Sequence, residues 1–150
     1  YNLKKRFDFR HIRIVREIES LDPIPCEGSQ IQQVVLNLLS NSAQAMAECP
    51  EGSPDPQITV RLKAENDMAI LEVEDNGPGM DAETRKRAFE PFFTTKDVGH
   101  GTGLGLSVSY FIITENHGGS MNLTSAPGKG ACFTIGIPFV HRMARWGLRL

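Results

Sequence analysis

Asn37 and Asn41 stand four residues apart, Asp75 precedes Asn76-Gly77-Pro78-Gly79, and Gly99-His100-Gly101-Thr102-Gly103-Leu104-Gly105 follows further on. Each of these residue types suits one part of a nucleotide. An asparagine offers a neutral carbonyl oxygen, a ligand magnesium accepts, without adding negative charge beside a triphosphate. A carboxylate only accepts hydrogen bonds, so Asp75 can receive the exocyclic amine of adenine and would repel the carbonyl of guanine. Glycines leave backbone N–H groups open, and a helix N-terminus adds partial positive charge, so phosphates bind there without a dedicated lysine. This is not the P-loop pattern, because no Gly-Lys-Ser/Thr follows. Between the glycine clusters, Phe89-Glu90-Pro91-Phe92-Phe93-Thr94-Thr95-Lys96 makes a poor regular element. It reads as the anchored end of a lid, weakly held so that it can open.

Each feature also has a plainer reading. Asparagines on an amphipathic helix are often surface or capping residues, Asn-Gly is a common turn dipeptide, and Gly-x-Gly-x-Gly is frequent in flexible linkers. A linker would not be followed at once by Leu104, Leu106, Val108, Phe111 and Ile112. A plain turn gives no reason for an acid directly after a strand ending in Val73. For Phe89 and Phe92 packing is the first expected role.

Elements that would position these groups are legible in the periodicity. His11 to Ile18, with Ile12 and Ile14 on one face, reads as a strand broken by Leu21-Asp22-Pro23-Ile24-Pro25. From Ser29 to about Ala47, Ile31, Val34, Leu38, Ala45 and Met46 recur at helical spacing. At about 100° per residue, Asn37, Asn41 and Gln44 form a polar stripe beside that apolar face. Ile58, Val60 and Leu62 alternate, as do Leu71 and Val73, with a hairpin turn expected at Glu65-Asn66-Asp67. Asp81 looks like the cap of a short helix through about Ala88, and a third helix should run from about Gly103 to His117 and stop at Gly118-Gly119. Met121 to Ser125 and Phe133 to Ile137 form a last strand pair. Interleaved in this way, the elements suggest a mixed sheet covered by helices on one face.

A chain of 150 residues is long enough to bury a core without staples. Its 16 basic and 18 acidic residues leave a formal charge of −2, which advertises no nucleic-acid surface. Cys26, Cys49 and Cys132 are odd in number and lack metal-ligand spacing, as reduced cytosolic thiols would. No apolar run reaches the roughly 18 residues of a membrane span, so no membrane contact is expected of these residues. Any anchor would lie elsewhere in the parent protein.

Together these segments resemble the ATP-binding catalytic domain of sensor histidine kinases, in the GHKL superfamily. The likeness covers roughly residues 8–139; residues 1–7 would end a connector from an upstream domain, and the basic tail 140–150 is unassigned. It implies an α+β fold, the two-layer Bergerat sandwich, with a mixed, mostly antiparallel sheet of about five strands, about three helices on one face and a mobile ATP lid. Asn37-Leu38-Leu39-Ser40-Asn41 resembles the N box, implying that Asn41 holds magnesium and that Asn37 and Asn41 are catalytic, with Gln44 and Ala45 beside the nucleotide. Ser42 departs from a usual alanine. Asp75 would read adenine, with Gly77, Gly79 and Met80 lining the base. Phe92, Thr94, Thr95 and Lys96 belong to the F box. His100, Gly101, Thr102, Gly103, Leu104, Gly105 and Leu106 belong to the glycine segment that cradles the β- and γ-phosphates. Ala131 stands where many relatives carry Thr.

Two absences shape the expected activity. ATP hydrolases of the superfamily place a glutamate one turn before the magnesium asparagine, as a general base for water. Here that position is Asn37. Histidine kinases phosphorylate a histidine followed by an acidic residue, yet His11, His100, His117 and His141 precede Ile12, Gly101, Gly118 and Arg142. The resemblance therefore implies a cytoplasmic, monomeric catalytic domain using ATP and Mg2+. Its partners would be a histidine-containing dimerisation domain and a response-regulator receiver domain. The alternative is a partner-binding module of the anti-sigma-factor kinase type, and a degenerate scaffold is disfavoured by the presence of Asn41, Asp75 and the glycines.

Overall fold

The computed structural model describes residues 11–47, 49, 52–93 and 105–139. Five strands, β1 (Arg13–Ile18), β2 (Gln57–Glu65), β3 (Met68–Asp75), β4 (Ser120–Ser125) and β5 (Ala131–Pro138), form one open sheet in the order β1-β2-β3-β5-β4. The β1–β2 pair is parallel and the others are antiparallel. The parallel pair needs a crossover, which α1 (Gly28–Ala47) supplies. Helices α2 (Ala82–Arg87) and α3 (Gly105–Phe111) follow, and α3 continues as a π-helical turn over Ile112–Asn116. This is the mixed five-stranded sheet with helices on one face that the sequence implies.

Local chemistry explains the boundaries. Asn66 and Asp67 both have positive φ (52° and 61°), the backbone of a tight two-residue hairpin, which these side chains tolerate better than most. Asp81 caps α2 by accepting from the Thr84 N–H at 2.8 Å. That bond holds its carboxyl below the ordinary value. Strand alternation sends Ile58, Val73, Phe133 and Ile135 to the helix side, where they meet Val34, Leu38 and Met46 of α1 and Ile112 and Ile113 of the π turn. Removing a large member such as Phe133, fully buried, would cost about 3–5 kcal/mol. The other face is charged: Arg61 reaches Glu74 at 2.8 Å and Glu17 at 3.1 Å.

Two expectations need correction. The third helix does not run regularly to His117: it widens at Ile112, whose carbonyl accepts from His117 Nδ1 at 2.9 Å instead of serving only the helix ladder. His117 Nε2 accepts the Glu27 N–H at 2.9 Å, so the ring joins the end of this helix to the start of α1. With Nδ1 donating and Nε2 accepting, the neutral ring fits both partners. Along the same helix Val108 and Phe111 are exposed, and the apolar periodicity overstated its buried face. Phe92 is the second correction. It is 74% exposed with φ +67° and stands outside the core of the described residues, whereas Phe89 stacks near Tyr110 (5.0 Å between centroids) and Phe133 (6.3 Å). Phe93 is half-buried under the Arg87 guanidinium, 4.3 Å from the ring centroid.

Candidate nucleotide site

Alternation along β3 puts Asp75 on the same face as Val73, and its register partners are Ile58 and Ala131. The carboxylate therefore comes up beneath α1 rather than into solvent and is only 4% exposed. Burial raises its pKa; the Gly77 N–H, followed by the Ser42 hydroxyl and the Ala131 N–H, opposes that by favouring the charged form. Asp75 Oδ1 accepts from Gly77 N at 2.9 Å, so the Asx-type turn of the plain reading exists. It occurs on a buried acid, which a plain turn does not require.

The turn after Asp75 is fixed from both sides. Asn76 Oδ1 accepts from Gln57 N and its Nδ2 donates to Asp55 O, both at 2.8 Å. Gly128 N donates to Pro78 O at 2.7 Å, while Ser125 Oγ accepts from Met80 N at 2.9 Å and donates to Gly130 O at 2.7 Å. Ser125 thus aligns Met80, a role that a serine at a strand end does not announce in sequence. Gly79 (φ +73°) and Gly130 (φ +68°) complete the contact: a Cβ would run into the Ala126 carbonyl in one case and the Asp75 carbonyl in the other.

Facing this end of the sheet, α1 carries Asn37, Asn41, Gln44 and Ala45, all half-buried. The Asn37 amide donates to Gly105 O at 3.3 Å and Ser109 Oγ at 3.1 Å, which ties α1 to the first turn of α3. The structure therefore brings Asn37 and Gly105 together, with Leu106 half-buried in the same turn. Asp75, Gly77, Gly79 and Met80 gather at the end of β3. Thr94, Thr95, Lys96, His100, Gly101, Thr102, Gly103 and Leu104, and with them the expected lid, lie outside the described residues, as do 1–7 and 140–150.

The residues fit magnesium-bound ATP. A buried carboxylate suits an amine, and neutral asparagine oxygens suit a metal that also binds phosphate. Among the described residues no three His, Cys, Asp or Glu side chains gather as a protein-only metal cage would need. A magnesium ion here would take its remaining ligands from phosphates and water. An open cavity of about 660 Å³ lies at the other end of β3, among Leu21, Pro23, Ala64 and Phe139. The Asp22, Glu65 and Asp67 carboxyl groups that also line it would repel phosphate, so the Asp75 end is the better candidate.

Residues 26–141 match the family described as histidine kinase-, DNA gyrase B- and HSP90-like ATPase. The chain belongs to that family. Within it the relatives are sensor kinases. Sporulation kinase E of Bacillus subtilis is 43% identical over 122 residues, covering 81% of this chain and 15% of the relative. Sensor kinase CckA of Brucella abortus is 41% identical over 131 residues, covering 77% of this chain and 13% of the relative. Among solved structures, the catalytic domain of histidine kinase ThkA superposes with a TM-score of 0.72 at 30% identity, covering 86% of this chain and 81% of that one. A mycobacterial sensor histidine kinase, MprB, gives 0.74 at 25%, covering 92% and 90%. The domain is of the catalytic-module class that these kinases carry, and it spans only a small part of the first two relatives' length.

Proposed function

We propose that the domain binds MgATP and passes its γ-phosphoryl group to a histidine on a separate helical dimerisation domain, which then supplies a response-regulator aspartate. The observation that carries this reading is Asp75: a carboxylate buried at a strand end, under a helix that presents two asparagines. Asp75 accepts the adenine amine and Met80 flanks the base. Asn41 holds magnesium through its side-chain oxygen, with Asn37, Gln44 and Ala45 along the same helix beside the phosphates. Bound magnesium would neutralise phosphate charge, the main requirement of phosphoryl transfer. Gly105 and Leu106 open α3 on the phosphate side, and Thr94, Thr95, Lys96 and the glycine segment would cover it.

Asn37 cannot take a proton at neutral pH, and its amide is already given to Gly105 and Ser109. A water molecule near the γ-phosphate therefore finds no general base at this position, which favours transfer over hydrolysis. In this reading residues 8–139 are the working unit and act in the cytoplasm, whether or not the parent protein carries an anchor. No described helix is long and apolar enough to cross a membrane.

The test supplies a histidine-bearing helical dimerisation domain in trans, with γ-labelled ATP and magnesium. The expected product is an alkali-stable, acid-labile label on that domain, lost with Asp75→Asn and with Asn41→Ala. Failure of calorimetry to detect ATP binding would overturn the nucleotide reading. ATP binding without transfer to this or any receiver-paired histidine domain would overturn the kinase reading alone.

A further inference from the structure

The cavity at the other end of β3 from Asp75 takes no part in the nucleotide site. Three separate segments wall it: Leu21, Asp22 and Pro23 from the connection between β1 and α1, Glu65 and Asp67 from the β2–β3 hairpin, and Phe139 just past β5. Its volume of about 660 Å³ falls within the range of ligand-holding clefts, about 300–1,000 Å³. Leu21 and Phe139 are half-buried and, with Pro23, give it an apolar surface. Lys63 Nζ lies 3.3 Å from the Glu65 carboxylate, but no ion pair reaches Asp22 or Asp67 among the described residues. No basic side chain lines the cavity.

An apolar surface rimmed by uncompensated carboxylates suits a segment that carries a large apolar side chain between cations. Such a segment follows directly in the chain. His141-Arg142-Met143-Ala144-Arg145-Trp146-Gly147-Leu148-Arg149-Leu150 holds three arginines, a tryptophan and no acid. Its point of attachment is at the cavity itself: Pro138 pairs with Met68, and the Phe139 N–H donates to Asp67 O at 3.1 Å. The chain therefore leaves the sheet at the cavity's rim. Arg142, Arg145 and Trp146 come three, six and seven positions after Phe139. At up to about 3.3–3.6 Å per residue, that length spans a cavity of this size. Attachment at the rim also keeps the segment's local concentration high, so individually weak contacts suffice.

We propose that residues 141–150 dock in this cavity as an intramolecular clip, with Trp146 against Leu21, Pro23 and Phe139 and arginines on Asp22 and Asp67. Docked there, the segment ties the connection that leads into α1 to the β2–β3 hairpin. The proposal is independent of the nucleotide reading, because the two sites lie at opposite ends of β3.

Trp146 is the single tryptophan of the chain, so its fluorescence reports on the segment without a label. In the 150-residue chain at low salt, the indole should emit to the blue of a free peptide of residues 140–150 and resist acrylamide quenching several-fold better. Salt at about 1 M, where the screening length falls to about 3 Å, should weaken that protection. Asp22→Asn and Asp67→Asn remove the charges at exposed positions, and asparagine tolerates the positive φ of Asp67. Each should lower the docked-to-free ratio roughly two- to fivefold. In the chain already lacking both carboxylates, Arg142→Gln and Arg145→Gln should cause no further loss. A wild-type indole as exposed as that of the peptide would overturn the proposal. Protection unchanged by both Asn substitutions would place the segment elsewhere, and protection lost on dilution would give the cavity to a second copy's segment; either result overturns it. ATP enters none of these readouts, so failure of the nucleotide reading would leave the clip standing.

Discussion

The two sides of the candidate site are built differently. At the β3 end, the Gly128 N–H bonds the Pro78 carbonyl, the Ser125 hydroxyl bridges the Met80 N–H and the Gly130 carbonyl, and backbone lies so close to backbone that there is no room for a Cβ at Gly79 or Gly130. On the α1 side, the start of α3 is held by a side chain, the Asn37 amide reaching Gly105 and Ser109. A base is a rigid, flat object with fixed donors and acceptors, and a rigid frame reads it well. Phosphates are flexible and are recognised largely by charge, so side chains and N–H groups on helices suffice.

The largest effect should come from Gly130→Ala. It places a Cβ against the Asp75 carbonyl at a φ of +68°, where the backbone cannot relax without breaking the turn. We expect a loss of about 3 kcal/mol or more in a urea titration. An unchanged midpoint would show that the β3 end is not the rigid frame described.

Asp75→Asn separates binding from stability at the same end. Adenine binding should weaken by tenfold or more, since a charged acceptor is worth about 1.5–3 kcal/mol. The empty fold should hold or gain stability at neutral pH. The sign follows from the burial that raises the folded-state pKa. The folded chain keeps its proton longer than the unfolded one, so the cost of the buried charge is absent below the unfolded value of about 3.9. It grows as pH rises from there through the raised folded value. Asparagine removes that pH dependence. A variant clearly less stable than the wild type at pH 7 would mean that the charge holds the fold together.

On the α1 side, Asn41→Ala should remove about tenfold of ATP affinity in magnesium and leave the metal-free affinity unchanged. Magnesium tightening ATP binding equally in variant and wild type would take Asn41 out of the metal site. Asn37→Ala should have the smallest effect, about 1 kcal/mol of stability, because it removes two half-exposed hydrogen bonds between α1 and α3. A loss as large as that of Gly130→Ala would erase the contrast between the two ends.

The strands, the tight hairpin at Asn66-Asp67, the cap at Asp81 and the helix carrying Asn37 and Asn41 were legible in the sequence because each follows from local chemistry. Alternation, turn residues and helical spacing act over a few positions, and they fixed which residues had to be considered. The Asn76-Gly77-Pro78-Gly79 cluster marked a turn for the same reason, and the structure builds one there. Sequence spacing could not weigh contacts between distant segments. Phe89 and Phe92 look alike in the chain, yet one meets Phe133 and the other stands in solvent at a positive φ. His117 ends the helix as its place before Gly118-Gly119 suggested, but spacing could not show that its ring also joins Ile112 to Glu27. Ser125 gave no local signal at all. A hydroxyl acquires a role from what lies opposite it, and for Ser125 that is decided by how β4 and β5 pack around the end of β3.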